Sequence, residues 1–221
     1  MKPNLQKKKI LNNAFHRLYR FFGPQHWWPG HSRLEIMVGA ILTQNTNWTN
    51  VEKAILNLKR AKKLSISALD EMPASQLAQL IRPAGYFNVK AKRLKNFVTF
   101  LWERYNGDLR RMSQTPLPQL REELLGVNGV GPETADSILL YAFDKPAFVI
   151  DAYTKRILTR HKLVPSDATY HDMQDLLVRS LKEDASLFNE YHALIVHTGK
   201  HFCRTKPLCE ECPLNRKELY L

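Results

Sequence analysis

The stretch that decides the fold reads Leu124-Leu125-Gly126-Val127-Asn128-Gly129-Val130-Gly131-Pro132-Glu133-Thr134-Ala135. The end of an apolar helix runs into three glycines, and Pro132 and Glu133, which favour a first helical turn, follow at once. The pattern predicts two helices joined by a tight glycine turn. Such a turn exposes backbone N–H groups at a helix N-terminus, where a phosphate group binds readily. A hairpin that only packs two core helices would show the same pattern, so the turn alone leaves both interpretations open.

Composition limits the class of protein and of partner. The 221 residues include 33 Lys and Arg against 21 Asp and Glu, a formal net charge of +12, and a basic surface of this kind attracts nucleic acid. The longest apolar run, about seven residues from Ile36 to Leu42, is too short to span a membrane, and no signal peptide is visible. We therefore expect a globular protein that binds nucleic acid and no membrane.

Apolar residues recur at helical spacing along most of the chain. Helices are predicted from Leu34 to Leu42, from Val89 to Trp102 and from Leu176 to His197, among others. Between Ala135 and Phe143 the apolar positions follow i, i+3, i+4, i+7 and i+8, which predicts an amphipathic helix. No alternating run is long enough for a strand. The predicted fold class is therefore all-α.

The hairpin and a downstream segment together resemble a known family. Val149-Ile150-Asp151-Ala152-Tyr153-Thr154 places an aspartate 18 residues after Glu133. This order and spacing resemble the endonuclease III superfamily of helix-hairpin-helix DNA glycosylases. The resemblance implies that Asp151 is catalytic and that the hairpin binds the DNA backbone. The hairpin positions that it marks as DNA-binding are Gly126, Val127, Gly129, Val130, Gly131 and Thr134.

The same resemblance implies a domain organisation and a partner. One lobe is expected to be a six-helix barrel over residues 34–145, with the helix-hairpin-helix at about 120–143. Residues 1–33 and 146–221 are expected to form a second helical lobe with a cysteine loop at 203–212. The expected partner is double-stranded DNA with a damaged base, which flips into the cleft between the lobes. The protein is expected to act as a monomer in the cytoplasm, in association with the nucleoid.

Glu133 departs from the pattern of the bifunctional members of this superfamily. They carry a lysine here, in a pattern like G-V-G-x-K-T-A, where the chain reads Gly129-Val130-Gly131-Pro132-Glu133-Thr134-Ala135. A lysine amine can attack the sugar and form a Schiff base that leads to strand cleavage, and a carboxylate cannot. We therefore expect a monofunctional glycosylase that leaves an abasic site, with Glu133 as a first-turn residue and not a nucleophile.

Asp151 also suits a structural role. An aspartate before Tyr153, Ile157 and Leu158 is a good helix N-cap. The two roles are compatible, because a helix N-terminus stabilises an ionised carboxylate. That carboxylate can stabilise an oxocarbenium-like sugar and can orient or deprotonate a water molecule.

Three of the four tryptophans lie in the first 48 residues and suggest which base is removed. The motif Trp27-Trp28-Pro29, the motif Leu42-Thr43-Gln44-Asn45-Thr46 before Trp48, and Glu133 are similar to the 3-methyladenine DNA glycosylase III subgroup. Aromatic residues hold the base in that subgroup. An N-alkylated purine is cationic and stacks well on tryptophan, so we expect an alkylated purine such as 3-methyladenine. The implied base site comprises Trp27, Trp28, Pro29 and Trp48.

Further positions are expected at the DNA by the same resemblance. Gln44 matches a side chain that fills the gap left by the flipped nucleotide. The turn from Arg82 to Asn88 matches a second DNA-facing loop, and Lys90 and Lys92 after it are expected to contact phosphate.

The chain has three cysteines, Cys203, Cys209 and Cys212, whose spacing indicates a metal site in a reducing compartment. The spacing resembles the iron–sulfur loop of the family, which uses four cysteines, and Glu218 stands where the fourth is expected. Three interpretations stay open: a [4Fe-4S] cluster with three cysteines and an unidentified fourth ligand, a zinc ion with His201 or His197, and a vestigial loop. The glycosidic chemistry needs none of them.

Two alternative functions are compatible with the sequence. A bifunctional endonuclease III-type glycosylase and lyase, acting on oxidised pyrimidines, would need another amine, such as Lys145 or Lys155. A noncatalytic helix-hairpin-helix DNA-binding protein would use the hairpin for phosphate contact alone, and none of its cellular roles would depend on Asp151.

Overall fold

A computed structural model describes residues 3–28 and 30–215. Within these ranges the chain forms helices and no strand, which confirms the predicted all-α class. None of the described helices is long and apolar enough to cross a membrane. The described α-helices are α1 (Leu5–Phe22), α2 (Arg33–Leu42), α3 (Trp48–Arg60), α4 (Ile66–Glu71), α5 (Ala74–Leu80), α6 (Phe87–Tyr105), α7 (Leu109–Gln114), α8 (Leu117–Leu125), α9 (Pro132–Ser137), α10 (Ala152–Arg160), α11 (Tyr170–Ser180) and α12 (Ala185–His201).

The chain divides into two compact units. We call Met1–Trp28 together with Pro146–Leu221 the terminal unit, and Pro29–Lys145 the central unit. Helices α2 to α9 belong to the central unit, and α1 and α10 to α12 belong to the terminal unit. The barrel geometry expected for residues 34–145 stays a prediction.

Helix α2 is the buried centre of the central unit. Its residues from Leu34 to Leu42 are buried apart from Ile36, and it packs against α3, α6 and α9. The Ser32 hydroxyl caps the helix by accepting a hydrogen bond from the Glu35 N–H (3.2 Å). Because α2 packs against three helices, the position of Leu42, where the next loop begins, is fixed.

Helices α8 and α9 form the predicted hairpin. Within its turn, the Val127 N–H donates to the Leu124 carbonyl (3.1 Å) and the Val130 N–H donates to the Val127 carbonyl (3.0 Å). Across the hairpin, Arg121 on α8 donates two hydrogen bonds to Asp136 on α9, at 2.7 and 3.1 Å. Two parallel N–H···O bonds fix both distance and orientation. This charged pair therefore clasps the two helices together.

The segment after the hairpin differs from the predicted amphipathic helix. Every residue from Thr134 to Phe143 is buried, and Ile138–Ala142 is a π-helix rather than an α-helix. The polar residues at its start are satisfied inside the fold, as where the Ser137 hydroxyl donates to the Glu133 carbonyl (2.7 Å). The prediction of one exposed face was wrong because small and hydrogen-bonded polar side chains fill that face.

Helix α12 is the centre of the terminal unit, where it packs against α1 and α10. The Tyr191 hydroxyl donates to the Leu11 carbonyl of α1 (2.9 Å). On its other side, Gly199 lies directly against the ring of Tyr153 on α10. A side chain at Gly199 would collide with that ring, so this glycine permits the close approach of α10 and α12.

The single helix predicted from Leu176 to His197 is two helices, α11 and α12. The break lies between Leu181 and Asp184. The Asp184 carboxylate accepts a hydrogen bond from the Leu187 N–H (3.0 Å) and so starts a new helix. Apolar residues continue at helical spacing across the break, which is why one helix was predicted. The Asp184 cap nevertheless starts a second helix there.

Two glycines of the hairpin turn form a matched pair for a stability test. Gly129 has φ of +98° and no room for a side chain beside Arg93, whereas Gly131 has φ of −96° and open space around it. We expect Gly129→Ala to lower the free energy of unfolding by about 2–4 kcal/mol. Gly131→Ala should lower it by less than about 1 kcal/mol, the effect of a poorer N-cap. Urea denaturation measures both, and equal losses would contradict the assignment of strain to Gly129.

Candidate active site

Asp151 begins helix α10 and caps it through one oxygen. Its Oδ1 accepts hydrogen bonds from the Thr154 N–H (2.7 Å) and the Thr154 hydroxyl (2.8 Å). Its Oδ2 lies 3.8 Å from His192 Nε2, beyond hydrogen-bond distance. The side chain is 14% exposed. The predicted N-cap is thus confirmed, and it fixes the carboxylate without using Oδ2.

His192 on α12 is a neighbour of Asp151 that the sequence analysis missed. Its side chain is buried, and burial lowers the pKa of His192, while the charge of Asp151 opposes this effect. The net shift is downward, so the imidazole is neutral near pH 7 and does not cancel the carboxylate charge. A lone histidine among the apolar residues of a central helix gives no signal in sequence, because its partner belongs to another helix.

Gln44 is held against the hairpin in the central unit. Its Nε2 donates to the Gly129 carbonyl (3.0 Å) and to the Thr134 hydroxyl (2.9 Å). Its Oε1 accepts a hydrogen bond from the Arg93 guanidinium. The structure therefore brings three predicted DNA-facing positions together, and it adds Arg93, which the sequence analysis did not mark.

The remaining hairpin positions fall into two groups. Val127 and Val130 are 7% and 6% exposed, and their N–H groups donate within the turn. These two residues build the turn, and a contact of either with DNA stays a prediction. Gly126 and Gly131 are exposed. Thr134 is buried, so it can reach DNA only through its backbone N–H at the start of α9.

Lys90 is buried and does not face DNA. It is 1% exposed, and its ammonium group donates to the carbonyls of Leu42 (2.8 Å) and Ala84 (2.7 Å). These carbonyls end helix α2 and the short 3₁₀ turn Arg82–Ala84, where partial negative charge stabilises a cation. The prediction that Lys90 contacts phosphate is therefore wrong. Lys92 is exposed and stays a candidate.

Tyr86 projects from the second predicted DNA-facing loop. Its side chain is 71% exposed, and its backbone is left-handed with φ of 46°. A bulky residue rarely takes this conformation, and an exposed aromatic face can stack on a base. This turn was predicted from the sequence to face DNA, but no pattern in the sequence distinguishes Tyr86.

Trp48 is the first residue of α3 in the central unit. Its indole N–H donates to the Glu52 carboxylate (2.8 Å). Its ring also packs on α2, where a Cβ on Gly39 would lie 3.3 Å from it. The ring is therefore anchored at two points and stays half-buried.

Trp27 and Trp28 belong to the terminal unit. Their rings meet edge to face with centroids 5.8 Å apart. The Lys200 ammonium lies 5.8 Å from the Trp27 ring centroid. The face of Trp27 thus attracts a cation already within the protein. Pro29, the third member of the predicted motif, lies outside the described residues.

The three cysteines line one cavity of about 400 Å³ in the terminal unit. Cys203 is also close to Arg160, whose Nη1 lies 3.3 Å from the sulfur. The described residues contain no compact group of three ligands that could hold a single metal ion. His161 lines the cavity, but neither His197 nor His201 is among its described lining residues. The predicted position Glu218 lies outside the described residues.

Comparison with protein families decides the identity of the fold. Residues 38–183 match the model described as "HhH-GPD superfamily base excision DNA repair protein". The chain belongs to the HhH-GPD superfamily. The hairpin of α8 and α9 and the capped Asp151 both lie within the matched residues.

Several HhH-GPD relatives cover nearly the same length. A Methanocaldococcus jannaschii protein provisionally named a DNA repair glycosylase is 47% identical over 216 residues, which is 97% of each chain. Endonuclease III of Thermotoga maritima is 32% identical and covers 84% of this chain and 82% of its own. The structure of H. pylori 3-methyladenine DNA glycosylase bound to 1,N6-ethenoadenine has a TM-score of 0.74 and 28% identity, and covers 88% of this chain and 97% of that one.

As an HhH-GPD protein, the chain is a DNA glycosylase that binds DNA. The resemblance to the endonuclease III-like glycosylases, the fold and the enzyme class are confirmed. The roles assigned to individual residues stay predictions.

Two substitutions of Asp151 can separate its role as a helix cap from its proposed role in catalysis. Asparagine caps a helix about as well as aspartate does. We therefore expect Asp151→Asn to change the free energy of unfolding by less than about 0.5 kcal/mol, and Asp151→Ala to lower it by about 1 kcal/mol. Urea denaturation checks both values. A loss in Asp151→Asn as large as in Asp151→Ala would contradict a cap that needs only an acceptor oxygen.

Burial of Lys90 makes stability depend on pH. Burial lowers the pKa of Lys90 to about 8, and the Arg93 charge adds a smaller effect. Between about pH 8 and the ordinary pKa of 10.5, the unfolded chain holds this proton and the folded chain does not, so stability rises with pH. Relative to Lys90→Met, we expect the wild type to gain about 2 kcal/mol between pH 7.5 and pH 10. Denaturation at both pH values measures this difference, and a constant difference would show that the ammonium group is not desolvated.

Proposed function

We propose that the protein is a monofunctional DNA glycosylase that acts as a monomer and removes alkylated purines, such as 3-methyladenine, from duplex DNA. The observation that carries this proposal is the state of Asp151. One carboxylate oxygen is fixed by Thr154 and the other is not used by the cap, and the adjacent His192 is neutral.

This arrangement suits hydrolysis at the anomeric carbon. When the bond from C1′ to the base nitrogen breaks, its electron pair leaves with the base and positive charge develops on the sugar. The Asp151 carboxylate can stabilise that charge. Water then adds its oxygen to C1′ and gives a proton to Oδ2 of Asp151, which returns it to solvent. An N-alkylated purine is cationic before the bond breaks, so it leaves as a neutral base and needs no strong acid.

Glu133 supports hydrolysis of the glycosidic bond alone, without lyase cleavage of the DNA strand. It lies in the first turn of α9, where the helix dipole favours a carboxylate. The family resemblance places the lysine nucleophile of bifunctional members at this position. A carboxylate cannot form the imine that strand cleavage requires, so the product is an intact strand with an abasic site.

The tryptophans are proposed to hold the extruded base. The Lys200 ammonium lies 5.8 Å from the Trp27 ring centroid, an arrangement in which an aromatic face attracts a cation, and a cationic alkylated purine would use the same attraction. Trp48 is anchored by Glu52 and Gly39, so its ring is positioned before a base arrives. Trp28 and Pro29 complete the proposed site by resemblance. The H. pylori relative bound to 1,N6-ethenoadenine supports a modified purine as the substrate.

The hairpin is proposed to bind the DNA backbone. Gly126, Gly129 and Gly131, together with the N–H of Thr134, would approach phosphate, and the space over Gly131 is open. Lys92 would add a phosphate contact. Gln44 is proposed to fill the gap left by the flipped nucleotide. Tyr86 would stack against a neighbouring base.

A bifunctional glycosylase is the second candidate, and two observations favour it. The chain is 32% identical to an endonuclease III. In addition, burial lowers the pKa of Lys145, as an amine nucleophile requires. Borohydride reduction would trap the Schiff base of such an enzyme as a covalent complex with DNA. The absence of this complex while base is released would exclude the second candidate.

The cysteine cavity is proposed to hold a [4Fe-4S] cluster through Cys203, Cys209, Cys212 and a fourth ligand that is not cysteine. The cluster would stabilise the fold, because hydrolysis transfers no electron. We expect protein purified without oxygen to contain about four iron atoms per chain and Cys212→Ser to contain far fewer, while Asp151→Asn keeps the wild-type amount. Iron and zinc analysis measures this directly. Zinc in place of iron, or neither metal, would contradict the cluster.

The catalytic proposal is tested by release of free base. Wild type, Asp151→Asn and Asp184→Asn are incubated with duplex DNA that contains 3-methyladenine. Asp184 is the matched control, because it is also an aspartate N-cap in the terminal unit. We expect wild type and Asp184→Asn to release 3-methyladenine, with strand breaks only after alkali. Asp151→Asn should be slower by about 100-fold or more.

Each other outcome identifies the failing part of the proposal. Release by Asp151→Asn at the wild-type rate would remove Asp151 from catalysis. Strand breaks without alkali would indicate a lyase. No release of an alkylated purine by the wild type would overturn the substrate class, and a panel of oxidised pyrimidines would then be tested.

A further inference from the structure

Helix α6 carries three polar side chains at a spacing of three residues, Lys90, Arg93 and Asn96. Residues at this spacing lie near one another along a helix surface. Each of the three donates hydrogen bonds to a segment of the proposed DNA-binding surface. The segments are the Gln44 loop, which follows α2, the turn that carries Tyr86, and the hairpin.

Lys90 joins the first two of these segments. Its ammonium group bonds the Leu42 carbonyl, where the Gln44 loop begins, and the Ala84 carbonyl, which lies two residues before Tyr86. A single side chain thus sets the separation of two loops at their bases. Because both bonds are buried, water does not compete for them.

Arg93 joins the Gln44 loop to the hairpin. Its guanidinium donates to Gln44 Oε1, and its aliphatic stem covers Gly129 so closely that no side chain would fit there. An amide group has one acceptor end and one donor end. With Oε1 held by Arg93, Gln44 Nε2 is directed to the Gly129 carbonyl and the Thr134 hydroxyl.

Asn96 holds the tip of the hairpin. Its Nδ2 donates to the Asn128 carbonyl (3.1 Å). Asn128 lies between Val127, which is buried, and Gly129, which takes the left-handed conformation. The tip of the hairpin is therefore held by α6 as well as by the hydrogen bonds within the hairpin.

We propose that Lys90, Arg93 and Asn96 are positioning residues that hold these three segments in the arrangement that accepts DNA with an extruded nucleotide. This inference rests on the proposed function. Three independently mobile loops would each lose conformational freedom on binding, whereas segments fixed in advance do not. Undamaged duplex needs only the phosphate contacts. Substitution of a positioning residue should therefore weaken binding mainly to DNA that contacts Gln44.

Binding to DNA with an abasic analogue tests this proposal without catalysis. Fluorescence anisotropy is measured for a duplex with a tetrahydrofuran abasic site and for the same duplex undamaged. The variants are Arg93→Met, Gln44→Ala, the double variant, and Thr99→Ala as a control on the exposed side of α6. We expect Arg93→Met to lower the preference for the abasic duplex about tenfold, the effect of one charged hydrogen bond. Thr99→Ala should keep the wild-type preference.

The double variant shows whether Arg93 acts through Gln44. In the Gln44→Ala background, Arg93→Met should have no further effect on the preference. Arg93→Lys, which keeps a donor, should recover part of it. The salt dependence of binding to undamaged duplex should stay unchanged, because direct phosphate contact by Arg93 would reduce its slope by about one charge.

The outcomes separate this inference from the proposed function. No preference for the abasic duplex in the wild type would contradict the proposed function itself. A wild-type preference that Arg93→Met leaves intact, an additive double variant or a reduced salt slope would overturn the positioning role of Arg93. Asn96→Ala, which removes only one half-buried bond, provides a second test if Arg93→Met does not fold. It should lower the preference several-fold, and an unchanged preference would overturn the proposal.

Discussion

The charged pair between Arg121 and Asp136 is the constraint on which the proposed DNA-binding surface of the central unit depends. Asp136 is fully buried, and its two oxygens accept both hydrogen bonds from one guanidinium. Loss of Arg121 would leave the Asp136 charge buried without its partner, at a cost of about 3–5 kcal/mol. The pair fixes α9 against α8 and so fixes the turn between them. Gln44 can bond to Gly129 and Thr134 only because that turn has one conformation.

In the terminal unit, one local structure serves folding and, in our proposal, catalysis. Thr154 holds Oδ1 of Asp151, and this bond starts α10 and orients the carboxylate at the same time. His192, kept neutral by burial, adds no positive charge to compete with the developing charge on the sugar. The residue proposed to act in catalysis is therefore also the residue that caps the helix.

The features that sequence predicted well are those set by local chemistry. The glycine turn, the Pro132 start of α9 and the Asp151 cap each depend on a few adjacent residues, and the all-α class follows from periodicity along the whole chain. The features that were predicted poorly from sequence depend on packing between helices, because that packing decides which faces of a helix are buried. Thr134 to Phe143 is buried on both faces although its apolar spacing is amphipathic.

The burial of Lys90 could have been predicted from the sequence. Lys90 lies on the same buried stripe of α6 as Leu94, Phe97 and Leu101, so helical spacing alone placed it in the core. Its positive charge suggested a phosphate contact instead. Arg93 and His192 gave no comparable signal, because their partners come from other segments. Pro29 of the proposed base site and Glu218, which stands where the fourth cluster ligand is expected, lie outside the described residues.

The central claim is that Asp151 promotes hydrolysis and leaves the DNA strand intact. The intact mass of the lesion-bearing strand, measured after a single turnover at neutral pH, tests it most directly. The account predicts that the wild type replaces the alkylated base with a hydroxyl group and keeps the full-length strand, while Asp151→Asn leaves the mass unchanged. A shortened strand from the wild type, or an abasic strand formed equally fast by Asp151→Asn, would contradict it.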